Sequence, residues 1–275
     1  KYSRRACSGF AKGTSSVMEL GLNGKVALIT GSYRGTGAGI AARLAHEGAH
    51  VIVHGFEKGQ TKEVCDYLEE SGNSFSSLEL DLHSVDFEEI KSAVPNVDIL
   101  VNNYGSPKSS SWESPSSWEN EWAENVMIGI SMTQAVIQGM KATNWGRVLF
   151  IGTMGTLRPG THSPGYYGSK AALEPITKSL AIELKASGIT VNLLNPGMIA
   201  TAEVKEMITR KAMKQGITGD WETLEQWAAS EFMPTLTEQI STPESLGDIV
   251  AFLVSERASQ INGAVIPVDG GWVFA

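Results

Sequence analysis

Short β-branched runs alternate with helical patterns from residue 25 onward, and no other feature of this chain restricts its fold as much. Residues 26–30 read as a strand, 39–47 as a helix, 51–54 as a strand and 61–70 as a helix, which is a βαβ rhythm. It continues with strand 77–80, a short helix at 87–93 and an apolar strand at 98–102 whose two faces both read as buried. A long helix at 117–143, strand 147–152, helix 163–187, strand 190–195, helix 243–255 and strand 264–268 complete the series. Seven strands joined by helices predict an α/β fold. Its sheet is doubly wound and mostly parallel, with right-handed crossovers and helices on both faces. A length of 275 residues suits one such domain, spanning 18–275. Pro175 falls inside the 163–187 helix and is expected to kink it.

Composition narrows the function classes. The formal net charge of −8 and the lack of a basic run argue against a nucleic-acid surface. No stretch approaches the ~20 apolar residues needed to span a bilayer. Cys7 and Cys65 are too few for a disulfide framework, which fits a reducing, cytoplasmic setting. No metal site is expected. Residues 1–17 carry Lys1, Arg4, Arg5 and Lys12 without an acid, and read as an unstructured extension, either left by cloning or a targeting leader.

Thr30-Gly31-Ser32-Tyr33-Arg34-Gly35-Thr36-Gly37 follows the first strand and opens a helix. Glycines there let backbone approach a pyrophosphate, and free N–H groups with the helix dipole attract its charge. The spacing is not the G-x-G-x-x-G fingerprint. The second strand ends in His54, Gly55 and Phe56 with no acid, while Arg34 and Lys58 are available to a 2′-phosphate. NADP(H) is therefore favoured; Glu57, if turned inward, would select NAD(H) instead.

Tyr166 and Lys170 stand four residues apart at the start of the 163–187 helix, with Ser163 as N-cap and Pro164 at the first helical position. They share one helix face, so the ammonium is expected to draw the phenol below its usual value of about 10. Tyr104 and Lys108 repeat the spacing, but Gly105 and Pro107 break any helix between them.

Taken in order, these segments resemble the short-chain dehydrogenase/reductase family over residues 20–275, in the manner of its 3-oxoacyl-carrier-protein reductases and carbonyl reductases. Its glycine motif is similar to Thr30 to Gly37, its N-N-A-G to Asn102-Asn103-Tyr104-Gly105, its helix Asn to Asn125 and its Y-x-x-x-K to Tyr166 and Lys170. Asn195-Pro196-Gly197-Met198-Ile199-Ala200-Thr201 and Val268-Asp269-Gly270-Gly271 resemble two further segments. Tyr104 replaces a small residue, and Gly152-Thr153 replaces Ser-Ser.

The resemblance implies a Rossmann fold and hydride transfer between a nicotinamide dinucleotide and a carbonyl or secondary alcohol. Tyr166 would be the acid or base, Lys170 its modulator and a holder of the ribose hydroxyls, Thr153 the donor to the substrate oxygen and Asn125 the anchor of a water. Cofactor contacts would come from the glycine loop, with Asp81 on adenine, Asn102 near the adenosine ribose and Ile199 and Thr201 on the carboxamide, and from Phe56, Leu82, Asn103, Tyr104, Gly105, Pro196 and Gly197. A substrate lid is expected around 198–242, where Met207, Met213, Trp221, Trp227, Phe232 and Met233 read either as an apolar pocket or as core. Three activities fit: an NADP(H)-dependent carbonyl reductase, an NAD-dependent alcohol or sugar dehydrogenase, and a non-catalytic dinucleotide sensor. By the same likeness, a homotetramer or dimer is expected through the helices at 117–143 and 163–187.

Overall fold

The computed structural model describes residues 19–94 and 96–275, so the expected extension at 1–17 lies outside it. Strands β1 (Val26–Ile29), β2 (His50–Gly55), β3 (Phe75–Glu79), β4 (Ile99–Asn102), β5 (Gly146–Ile151), β6 (Ile189–Pro196) and β7 (Val265–Val268) form one sheet in the order β3-β2-β1-β4-β5-β6-β7. Every pairing is parallel. Strand order reverses direction between β1 and β4, which opens a crevice at their C-terminal ends.

Side chains alternate across the central strands, and both faces are apolar. Ala27, Ile29, Ile99, Val101, Leu149 and Ile151 enter one core with helices α1 (Gly35–His46), α2 (Lys62–Glu70) and α9 (Pro243–Leu253). Leu28, Leu100, Val148 and Phe150 enter the other, with α3 (Phe87–Ala93), α5 (Ile128–Thr143) and α6 (Pro164–Glu183). This two-sided burial is why these strands read as continuous apolar runs. Gly39 sets the approach of α1 to α9, because a Cβ there would stand 2.5 Å from Pro243 Cβ.

The long helix expected at 117–143 is α4 (Pro115–Trp122), a π turn at Ala123–Met127 and then α5. Helix α6 continues through Pro175. Residues 198–242 form α7 (Ala202–Lys214), α8 (Trp221–Trp227) and a second π turn at Ala228–Phe232. Here the core reading prevails over the pocket reading: Trp227 is buried and stacked on Phe232, with Met207 and Trp221 packed against the same cluster, although Met213 is exposed. Among the described residues no helix is long and apolar enough to cross a membrane.

Candidate active site

The two loops that leave β1 and β4 are tied to each other across the crevice. Asn103 and Tyr104 donate their N–H groups to Thr30 Oγ1 at 3.1 and 3.0 Å, and Asn103 Nδ2 donates to Thr30 O at 2.9 Å. Gly31 and Gly35 adopt positive φ, where other residues are strained. A Cβ on Gly37 would meet Gly31 O at 2.6 Å and Asn103 Nδ2 at 2.7 Å. Helix α1 starts at Gly35 with no side-chain cap and no acid in its first turn, leaving N–H groups for an anion. This cradle fits the pyrophosphate of a dinucleotide.

Ser32 does not belong to that cradle through its side chain. It is fully buried, and its hydroxyl accepts from His54 N–H at 2.9 Å. His54 braces the loop: its Nδ1 accepts from Gly31 N–H at 3.0 Å, so Nε2 is the donor to Leu80 O at 3.0 Å. Burial pushes this imidazole down to about 4, against the pull of the Leu80 carbonyl. Neither spacing nor motif pointed to His54, although a polar residue at the end of a buried strand was visible.

At the nucleoside end, Phe56 packs against His54, His83 and Tyr104, with ring centroids 4.8, 5.2 and 4.4 Å away. The Tyr104 ring also covers Gly31, and its hydroxyl lies 3.0 Å from His83 Nε2. These aromatic faces can stack on a base. Asp81 closes a local turn, accepting from His83 N–H and the Ser84 hydroxyl. Leu82 is buried in the second core, and Asn102 is turned inward to donate to Thr133 Oγ1 at 3.1 Å, so neither offers a free side chain to the crevice. Arg34 is exposed and paired with Glu203 Oε1 at 2.6 Å, at the head of α7. Glu57 and Lys58 are both exposed.

The candidate reactive groups lie where β4, β5 and α6 meet. Lys170 is buried and donates to Ile151 O at 2.8 Å. The first π turn brings Asn125 inward, a use of π geometry common at functional sites. Asn125 Oδ1 accepts from Ser106 N–H at 3.1 Å, and its Nδ2 donates to Glu121 O at 2.9 Å and Glu121 Oε2 at 2.7 Å. Asn125 Oδ1 and Lys170 Nζ both lie within 2.6 Å of the point where a Cβ on Gly105 would stand. Gly105 is thus required by close approach. Thr153, at the end of β5, faces the Tyr166 phenol, and its hydroxyl accepts from Gly155 N–H at 3.1 Å.

The expected fall of the Tyr166 pKa is not what the structure shows. Burial pushes the phenol up to about 12, opposed by the Thr153 hydroxyl. Burial also pushes Lys170 down to about 8, opposed by the charge of Glu121. Desolvation outweighs the Thr153 hydrogen bond at Tyr166 and the Glu121 charge at Lys170. Gly152 is explained by its neighbour: a Cβ there would overlap Asn195 Oδ1.

The segment after β6 closes the crevice from the other side. Gly197 packs on Asp269, with Cα of the latter 2.9 Å from the position of an added Cβ. Pro196 ends β6, Ile199 bridges to Ser241, and Thr201 caps α7 with its methyl 3.5 Å from the Cβ position on Gly35. Lid and phosphate loop are therefore in contact.

A Gly-rich turn at a strand reversal, a buried lysine one helical turn from a tyrosine, and a threonine facing that tyrosine define a nucleotide-dependent oxidoreductase. The short chain dehydrogenase family model matches residues 25–212, and the chain belongs to that family of NAD(P)-dependent oxidoreductases. It is 32% identical over 264 residues to D-beta-hydroxybutyrate dehydrogenase of Cupriavidus necator, covering 92% of this chain and 99% of that one. It is 34% identical over 265 residues to 3-oxoacyl-[acyl-carrier-protein] reductase of Aquifex aeolicus, covering 92% and 99%. Among solved structures it is similar to L-sorbose reductase from Gluconobacter frateurii complexed with NADPH and L-sorbose. That match has a TM-score of 0.83 and 30% identity, over 94% of this chain and 100% of that chain.

Proposed function

We propose that this protein reduces a ketone, or oxidises the matching secondary alcohol, with NADP(H), and that Tyr166 exchanges the proton. The observation that carries this reading is the convergence of Lys170, Asn125 and Gly105 beside the first turn of α6, with Thr153 facing the Tyr166 phenol. When bound, the nicotinamide supplies or accepts the hydride. Thr153 hydrogen-bonds the substrate oxygen and Tyr166 delivers its proton; burial keeps the phenol protonated, and the Thr153 hydrogen bond, which opposes that burial, favours its release. Lys170 holds the ribose hydroxyls and steadies the phenolate after transfer, and Asn125 orders the far side of the ammonium.

Preference for NADP(H) is supported by the absence of an acid among His54, Gly55 and Phe56, and by Arg34 and Lys58 in the loops that follow β1 and β2, although Glu57 precedes Lys58 and Arg34 is paired with Glu203. The NADPH-bound L-sorbose reductase supports it too, as does a 3-oxoacyl reductase of Agrobacterium tumefaciens solved with NADP bound. Substrates of the same class as those of the relatives follow: a sugar ketone, a 3-oxoacyl thioester or a 3-hydroxy acid. A homo-oligomer through α5 and α6 belongs to this reading, helped by Ile182, which is 76% exposed on α6; light scattering that shows a monomer rejects that part.

The test is Tyr166→Phe against a panel of ketones. Turnover should fall about a thousandfold, the middle of the range for loss of one acid–base group, while fluorescence titration gives an unchanged NADPH affinity. Near wild-type turnover refutes the mechanism, tighter NADH binding in the wild type refutes the cofactor preference, and tight binding without any turnover points to a sensor.

A further inference from the structure

Glu121 has no part in the catalytic set above, yet its carboxyl is 1% exposed and sits inside it. It stands on α4 one turn before Asn125 and receives both donor bonds of that amide. Its Cγ lies against the first turn of α6, 3.2 Å from the point where a Cβ on Gly165 would stand, beside Ser110. Oε1 has no hydrogen-bond partner among the described residues. Burial pushes this carboxyl above its usual range, opposed by the Asn125 amide and by the backbone N–H and charge of Lys108, and a carboxylate so buried is costly unless an opposite charge faces it.

Four titratable groups surround it. Glu124 on the π turn repels it, and Lys108 on the loop after β4 attracts it but is itself paired with Glu124. Tyr166 and Lys170 follow Gly165 on α6, and the Asn125 amide stands between Glu121 and Lys170, its Nδ2 on Oε2 at 2.7 Å and its Oδ1 at the same Gly105 point that Lys170 Nζ borders. Lys170 is the one cation of this set with no carboxylate bonded to it.

We propose that Glu121 is a positioning residue of this active site, which orients the Asn125 amide and supplies the buried negative charge that holds Lys170 as an ammonium ion. The inference rests on Tyr166 and Lys170 acting as proposed above, and extends that reading to a residue outside the family's motif. Two consequences follow from the geometry. Because Asn125 Nδ2 is committed twice to Glu121, Oδ1 must face Ser106 N–H and the Gly105 space that Lys170 Nζ also borders. A flipped amide would set donor against donor at that point. The carboxylate charge also opposes the burial that strips Lys170 of its proton.

Glu121→Gln keeps size and acceptor but removes the charge; Glu121→Leu removes both. The Lys170 side chain is followed by NMR of ¹³C-labelled lysine in the cofactor-free protein, assigned with Lys170→Arg, and kcat/KM for ketone reduction is measured against pH. Glu121→Gln should lower the Lys170 titration by about one pH unit, as loss of a near opposite charge does, and move the alkaline limb of the rate profile down by the same amount. Glu121→Leu should add about a tenfold loss of kcat at every pH, the price of a misplaced amide. If that variant fails to fold, the Gln variant still decides. A Lys170 titration unchanged in Glu121→Gln overturns the inference whatever the activity. A shifted titration in a protein that reduces no ketone keeps the electrostatic role of Glu121 and removes the reductase reading instead.

Discussion

Replacing Lys170 with methionine should stabilise the fold at neutral pH while removing its chemistry. Burial moves this ammonium from 10.5 to about 8, and each pH unit corresponds to ~1.4 kcal/mol. Keeping the charge inside the folded protein below pH 8 therefore costs on the order of 3 kcal/mol, a figure that already includes the attraction of Glu121. Against it stands the bond from Nζ to Ile151 O at 2.8 Å, worth ~1 kcal/mol. Methionine fills the space of the lysine stem, so Lys170→Met should gain about 2 kcal/mol at pH 7. The sign with pH follows from proton binding. Between about 8 and 10.5 the unfolded chain holds a proton that the folded chain has released, so wild-type stability rises across that window. The advantage of the variant should therefore vanish by about pH 10. Urea unfolding followed by tryptophan fluorescence at pH 7 and pH 10 measures both differences. A variant less stable than wild type at pH 7, or a difference equal at the two pH values, refutes the reasoning.

Two further outcomes are expected. His54 is held near 4 in the folded state against 6.5 in the unfolded chain, so the unfolded state binds the extra proton between those values and stability falls as pH drops through 6.5. The loss should reach about 2 kcal/mol at pH 5, and His54→Gln, which retains one donor and one acceptor, should flatten it; the same loss of unfolding free energy from pH 7 to pH 5 in variant and wild type, measured by urea unfolding, would remove His54 as the cause. Gly152→Ser should destabilise by about 1–3 kcal/mol through overlap with Asn195, and Asn195→Gly should restore most of it. Additive losses in that double-mutant cycle would show that the two positions do not compete for one space.

Much of the architecture was legible along the chain. The alternation after residue 25 predicted seven strands in a mostly parallel sheet, and all six pairings are parallel, because strands buried on both faces need apolar runs and parallel pairing needs a crossover between each pair. The phosphate cradle was legible through Gly31, Gly35 and Gly37, whose positive φ values and close approaches tolerate no side chain. The i, i+4 spacing of Tyr166 and Lys170 was legible because a helix makes such residues neighbours. The core character of the lid stayed open, since apolar side chains at helical spacing serve a core and a pocket equally.

Chain order alone determined which elements form, which of them follow one another, and which short motifs are candidates for nucleotide and proton chemistry. Tertiary structure decided where side chains face and what surrounds them: Ser32 turned onto His54, Asn102 onto Thr133, Asn125 brought inward by a π turn onto Glu121, and Gly152 matched to Asn195. It also decided the direction of the Tyr166 shift. A local spacing sets which side chains are neighbours, whereas the dielectric around them comes from strands and helices far apart in sequence, and burial by those elements is the largest influence on both Tyr166 and Lys170.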